Sequence, residues 1–296
     1  MPLAPISQLV EAARAGAYAL GYFESWNLES LQGVLDAAES TRSPTIIGFN
    51  GAFLSSKERQ TQERLQWYAQ LGRVAAETAT VPCGLIFNEC PLDDWVKAAA
   101  TAGFNLVMPA DLSAGLADYT HRVKAITAHA HRCGAAVEAE LGELPCGDSG
   151  QVSSNGHRTE PEVAARFVRE TGVDLLAVSV GNVHILLRGR QELDLAALQM
   201  IHRQIPEVPL VLHGGTGITV DSIKQAIGLG VVKVNYGTYL KQRYAAAVRA
   251  ALSNERANPH ELYGLGGEHD VMVAGRRAVR DAVLERIESL GCCGKA

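Results

Sequence analysis

The feature that most narrows the fold is a steady beat of short apolar runs, each followed by an amphipathic stretch. The runs are AYALGYFES (17–25), PTIIGFN (44–50), CGLIFNE (83–89), NLVMPAD (105–111), AAVEAEL (135–141), LLAVSV (175–180), LVLHG (210–214) and VVKVNY (231–236). Rich in Val, Ile and Leu, they read as strands buried on both faces, which suits a parallel sheet covered by helices. Between them, DDWVKAAATAG (93–103) closes on a glycine cap and PEVAARFVRETG (161–172) opens on proline, while DSIKQAIGLG (221–230) follows the seventh run. Ser7 is expected to cap an N-terminal helix whose Leu9, Val10 and Ala13 share a face, and VAGRRAVRDAVLERIESLG (273–291) is expected to close the chain as a helix. Eight strand–helix repeats predict an α/β fold closed as a (β/α)8 TIM barrel rather than an open sheet. No linker or low-complexity tract interrupts the pattern, so residues 1–296 read as one domain. The longest patternless stretch, GDSGQVSSNGHRTEP (147–161), follows the fifth strand and is expected to be a loop or lid over the catalytic face.

Bulk composition excludes several functions. Hydrophobic residues make up 47% of the chain and charged residues 20%, enough apolar material for a large core. A net charge of −5 offers no basic field to nucleic acid. No apolar run approaches the roughly 20 residues of a membrane span, and MPLAPISQLVEAARAG lacks the basic start and apolar centre of a secretory signal. The six cysteines, Cys83, Cys90, Cys133, Cys146, Cys292 and Cys293, match no zinc framework and read as reduced thiols of a cytoplasmic enzyme.

The strand interiors are apolar, but their last residues are not. The ends carry Glu24, Glu89, Asp111, Glu140, His213 and Asn235, and His184 follows the sixth strand closely. In a barrel these positions converge on one mouth. A single polar strand end is usually only a cap. Carboxylates and imidazoles crowded into a partly buried mouth instead call for a metal or a ligand. A lone histidine there most often bonds a neighbouring carbonyl, whereas His184 and His213 together with a carboxylate favour a divalent cation with open positions for substrate. HGGTG (213–217) adds an anion site, because Gly214 and Gly215 let backbone N–H groups approach an oxyanion and Thr216 offers a hydroxyl. NYGT (235–238) contributes Asn235 and Thr238 on the adjacent strand, and phosphate capture by the loops after strands seven and eight recurs in this fold.

VEAELG (137–142), TEPEVAARFVRETGVDLLAVSVGNVH (159–184), VPLVLHGGTGI (208–218) and LGVVKVNYGT (229–238) resemble the class II, metal-dependent ketose-bisphosphate aldolases, of the tagatose- and fructose-bisphosphate kind. The likeness spans nearly the whole chain. It implies a lyase of carbohydrate metabolism that releases dihydroxyacetone phosphate and an aldehyde, or joins them, with a metal polarising the ketone and stabilising the enediolate. It implies a homodimer or homotetramer acting on a small sugar phosphate. Carried over by position, His184 and His213 resemble metal ligands, and Glu140 and Asp111 the inner carboxylates. Gly181, Gly214, Thr216, Asn235 and Thr238 fall where the family holds the phosphate end, and Asp148 lies near its loop acid.

The departures cluster in the site. Where the family has an Asp–His pair after strand three, this chain reads Asn88–Glu89. Asn cannot accept a proton at neutral pH. Glu89 can still bind metal through oxygen, giving two His and one carboxylate. Zinc is the family's usual metal, and that set opens the choice to Fe²⁺, Mn²⁺ or Co²⁺. Glu24 stands where the family has Asn, Ile185 replaces the glycine after the ligand histidine, and Tyr236 is bulkier than expected. Three readings stay open. The first is a metal-dependent C–C lyase in which Glu24 or Asp148 takes over the acid–base work. The second is an isomerase or dehydratase in which Asn88 only positions a hydroxyl. The third is a non-catalytic sugar-phosphate-binding subunit.

Overall fold

The computed structural model describes residues 3–110, 115–147, 156–186, 188–253 and 258–296. Eight strands close into a barrel in chain order: β1 (Leu20–Ser25), β2 (Thr45–Asn50), β3 (Cys83–Cys90), β4 (Leu106–Pro109), β5 (Ala136–Leu141), β6 (Leu175–Val178), β7 (Leu210–Leu212) and β8 (Val231–Tyr236). Every neighbouring pair is parallel, and β8 returns to β1. Each expected run holds one strand. The paired cores are shorter than the apolar runs, because residues flanking a strand stay buried under the helices without joining the ladder: Tyr18 and Ala19 before β1, and Ser179 and Val180 after β6.

The helix signals hold at several ends. Gly103 takes the left-handed conformation that terminates Asp93–Ala102, and Pro161 opens Pro161–Thr171, which Gly172 closes. Thr219 caps Val220–Ile227 by accepting from the Ser222 N–H. The closing helix runs Val271–Ile287 from an Asp270 cap and tightens into a 3-10 turn at Glu288–Leu290. The expected Ser7 cap is corrected. The first helix begins at Ile6 behind Pro5, with no side-chain cap, and Ser7 lies within its first turn. The Ala4 N–H donates to Cys83 O, and Asn105 donates to Ala4 O, so the chain is pinned up to Pro5 and turns into helix at once. This helix closes the N-terminal end of the barrel, where Ile6 and Leu9 press on Gly84 so closely that a Cβ there would meet them at 2.7 and 3.3 Å. Among the described residues, the opposite end opens into a cavity.

Candidate active site

The C-terminal ends of the strands surround a cavity of about 680 Å³, with Glu24, Asn88, Glu89, His184, His213 and Asn235 in its walls. Local backbone irregularity aims the first of the acidic groups. The β3–β4 register shifts between Phe87 and Cys90, and Glu89 sits in the left-handed region at φ 52. A bulge of this kind re-aims one side chain, and here it is the carboxylate of Glu89. Asn50, at the end of β2, donates to Glu89 Oε2 at 2.9 Å.

Two imidazoles face that carboxylate. His213 Nδ1 is 3.3 Å from Glu89 Oε1 and 3.5 Å from Glu140 Oε1, and His184 Nε2 is 3.9 Å from Glu89 Oε2. Behind His213 runs a buried charge chain. His213 Nε2 meets Glu138 Oε1 at 2.9 Å, and Glu138 Oε2 meets Lys233 Nζ at 2.8 Å. The Lys233 ammonium also donates to Asn235 Oδ1 at 2.6 Å. Glu138 and Lys233 are fully excluded from water. Burial disfavours the charge on His213, but Glu140, Glu138 and Glu89 outweigh it and push the imidazole up to about 9. Burial also works against Glu89, yet His184, His213 and the amides of Asn50 and Asn88 hold it below the usual carboxylate range. Glu140 goes the other way, raised by burial and by the neighbouring Glu89.

Among the described residues, no three His, Cys, Asp or Glu side chains are already drawn into a closed cage. The donor chemistry nevertheless fits a divalent cation. His213 Nδ1 and Glu140 Oε1 are buried without a hydrogen-bond partner, which leaves two donor atoms facing one another with capacity for a ligand. Glu138 holds the far nitrogen of His213, as a carboxylate stands behind a ligand histidine. With a cation in place of the Nδ1 proton, His213 would donate from Nε2 to Glu138 and turn the Nδ1 lone pair to the cavity.

The β7–β8 side is built differently. Gly214 turns at φ 68, where a Cβ would collide with the carbonyl oxygen of Val183. Gly214, Thr216, Asn235 and Thr238 all line the cavity. Gly181 and Gly215 do not. Gly181 makes a left-handed turn against Glu192, and Gly215 packs on Val234, behind the wall. Ile185, a β-branched residue, also lies in the left-handed region at φ 52, so the backbone keeps a glycine-like turn without the glycine. Asp111 and Asp148 lie outside the described residues. The root of the 147–161 stretch sits beside His184, with Gly147 N donating to His184 O and His157 and Glu143 exchanging backbone bonds, all at 2.9 Å.

Sequence reasoning missed four contributors. Lys233 and Glu138 carried a signal, since charges inside strands buried on both faces must pair. Asn50 ends a strand like the other polar ends and was passed over. Lys241 gave none, because TYLKQR looks like any helix surface. In the fold its ammonium donates to Glu24 Oε1 at 2.5 Å, across 217 residues of sequence. The same ammonium lies 4.2 Å from the Phe53 ring centroid and 5.8 Å from that of Trp26. Burial raises Glu24, and the Lys241 charge opposes that rise.

A barrel mouth that gathers two imidazoles, three carboxylates and a glycine turn can be set beside what comparison with known proteins finds. The profile of the family "Fructose-bisphosphate aldolase class-II" matches residues 4–295. The fructose-bisphosphate aldolase of Geobacillus stearothermophilus is 31% identical over 299 residues, covering 100% of this chain and 99% of its own. The Escherichia coli (strain K12) protein YdjI is 33% identical over 280 residues, or 94% of both chains. The crystal structure of the YdjI aldolase from Escherichia coli K12 superposes with a TM-score of 0.81 at 31% identity, covering 99% of each chain. A family of metal-dependent lyases acting on sugar phosphates accounts for the barrel, the inward histidines and the glycine turns together, and the chain belongs to it: it is a member of the class-II fructose-bisphosphate aldolase family.

Proposed function

We propose that this enzyme is a divalent-metal aldolase that makes or breaks one C–C bond of a phosphorylated ketose. Dihydroxyacetone phosphate is its constant half, and its aldehyde partner differs from that of the ordinary family member. The carrying observation is His213, held at Nε2 by Glu138 while its unpartnered Nδ1 faces Glu89 and Glu140. His184, His213 and Glu89 would hold the metal, with Glu140 and Asp111 beside it. When bound, the ion supplies Lewis-acid polarisation of the ketone carbonyl. Glu89, as an oxygen ligand in place of nitrogen, widens the choice from zinc to Fe²⁺, Mn²⁺ or Co²⁺.

The chain's own residues do the rest. Gly214 and Thr216, backed by Gly181 and Gly215 and flanked by Asn235 and Thr238, grip the phosphate end through backbone N–H groups and hydroxyls. Asn88 orients a hydroxyl but takes no proton, which leaves the aldehyde-side proton to Glu24 or Asp148. The family's habit makes a dimer or tetramer the expected assembly. Six free thiols suit a reducing cytoplasm.

Metal analysis of the purified protein, followed by incubation with dihydroxyacetone phosphate and a panel of aldehydes, tests this reading. A bound divalent metal and a product mass equal to the sum of the reactants are expected. No bound metal and no activity with added Zn²⁺, Mn²⁺, Fe²⁺ or Co²⁺ would sink it. The neutral amide of Asn88 favours a second reading, isomerisation or dehydration on the same scaffold. An isomer would keep the substrate's mass at a new retention time, and a dehydrated product would be lighter by one water.

A further inference from the structure

The cavity wall also carries a charged pair, Glu24 and Lys241, of which the reading above uses only Glu24. Glu24 ends β1 with 8% of its surface exposed. Its carboxylate packs over Gly237, where any Cβ would collide with Oε2, and its other oxygen accepts from Lys241. Lys241 stands in the first turn of the helix Thr238–Leu252 and lines the cavity. Its side chain is 35% exposed. Its ammonium has three N–H donors, and Glu24 is its only hydrogen-bond partner among the described residues. The remaining donors are free for a ligand. Phe53 on one side and Trp26 on the other confine the side chain. A molecule in the cavity therefore meets Lys241 before it meets the buried carboxylate.

We propose that Lys241 is the residue that donates the proton to the aldehyde-side oxygen, with Glu24 as the positioning residue that holds its ammonium in the cavity. This rests on the aldolase reading above and puts Lys241, with Glu24 behind it, in the acid–base role that Asn88 cannot fill and that was left to Glu24 or Asp148. In condensation, the nucleophilic carbon of dihydroxyacetone phosphate bonds to the aldehyde carbon. The C=O π pair moves to the aldehyde oxygen, and that oxygen takes a proton from Lys241 Nζ. The amine regains a proton from solvent at the open side of the cavity. Cleavage runs the same path backwards.

The two halves of the reaction can be read separately in the metal-loaded enzyme. Deuterium uptake into dihydroxyacetone phosphate alone in D2O reports carbanion formation, which needs no aldehyde. Product mass with the best accepted of glycolaldehyde, lactaldehyde, glyceraldehyde and glyceraldehyde 3-phosphate reports the joined reaction. For Lys241→Met the expected result is a loss of condensation of about a hundredfold or more, the scale of a missing general acid, with deuterium uptake within about threefold of wild type. Lys241→Arg keeps the charge but not the transferable proton and should lose at least about tenfold in condensation. Glu24→Gln should lower condensation and spare uptake. Superposable melting curves establish that the variants fold. Full condensation in Lys241→Met or Lys241→Arg overturns the proposal. So does a parallel loss of uptake and condensation, which would mark a structural role, and so does wild-type uptake with no condensation of any of the four aldehydes. Absence of uptake in wild type instead fails the aldolase reading itself.

Discussion

On the β7–β8 side of the cavity, the wall is backbone. Gly214 turns at φ 68 with no room for a side chain, and the helix Thr238–Leu252 begins directly after β8. On the β1–β3 side and behind it, the wall is charge: Glu24 on Lys241, Glu89 between His184 and His213, and Glu138 on Lys233. The first wall is preset by chain geometry and would hold an anion through fixed N–H groups. The second depends on several side chains satisfying one another, and changing one shifts the rest. The departures from the family's pattern at Glu24, Asn88 and Glu89 fall on the charged side. Ile185 after β6 and Tyr236 at the end of β8 are the departures that lie outside it.

Four tests probe this division, in order of expected effect. Glu89→Ala or His213→Ala removes a donor from the charged wall, and metal content and activity should fall together by more than about a hundredfold, beyond the loss typical of a residue behind a ligand. Elemental analysis beside a rate assay checks this, and full activity with metal retained would show that Glu89 is no ligand. Gly214→Ala attacks the backbone wall. The left-handed penalty of about 1–2 kcal/mol plus the clash with Val183 O should cost about 2 kcal/mol or more in denaturant unfolding and weaken retention of dihydroxyacetone phosphate. Asn88→Asp combined with Glu89→His rebuilds the family's pair and should raise fructose-bisphosphate cleavage by about tenfold or more, since a restored acid–base group acts on that scale. No gain would move the block to Glu24, Ile185 and Tyr236. Ile185→Gly is the mildest: relief of about 1–2 kcal/mol of left-handed strain is largely offset by glycine's entropy of about 0.5–1 kcal/mol. The midpoint of unfolding should rise slightly, and a clear drop would mean that Ile185's packing outweighs its backbone strain.

The same division explains what the sequence made legible. Strand-and-helix alternation and the Gly-Gly-Thr-Gly turn are local patterns, so the barrel and the glycine turn at its mouth could be read directly. His184 and His213 were legible because each closes or follows an apolar strand. The partners that give them chemistry were not. Glu138 reaches His213 across 75 residues and Lys241 reaches Glu24 across 217, and no periodicity encodes such contacts. The Ser7 cap failed for a related reason, since remote bonds to Ala4 decide where that helix starts.

The buried chain from Lys233 through Glu138 to His213 also limits how the site can evolve. Replacing Lys233 alone leaves the Glu138 charge with His213 as its one ionic partner in a dry interior, and replacing Glu138 alone strands Lys233 at about 3–5 kcal/mol. Replacing both with apolar residues can restore stability but takes the acceptor from His213 Nε2. Single-step drift is therefore blocked beneath the metal residues while it remains open at the rim, where Glu24 and Lys241 sit. New specificities would arise at the rim first, and a redesign of the centre has to exchange the three residues together.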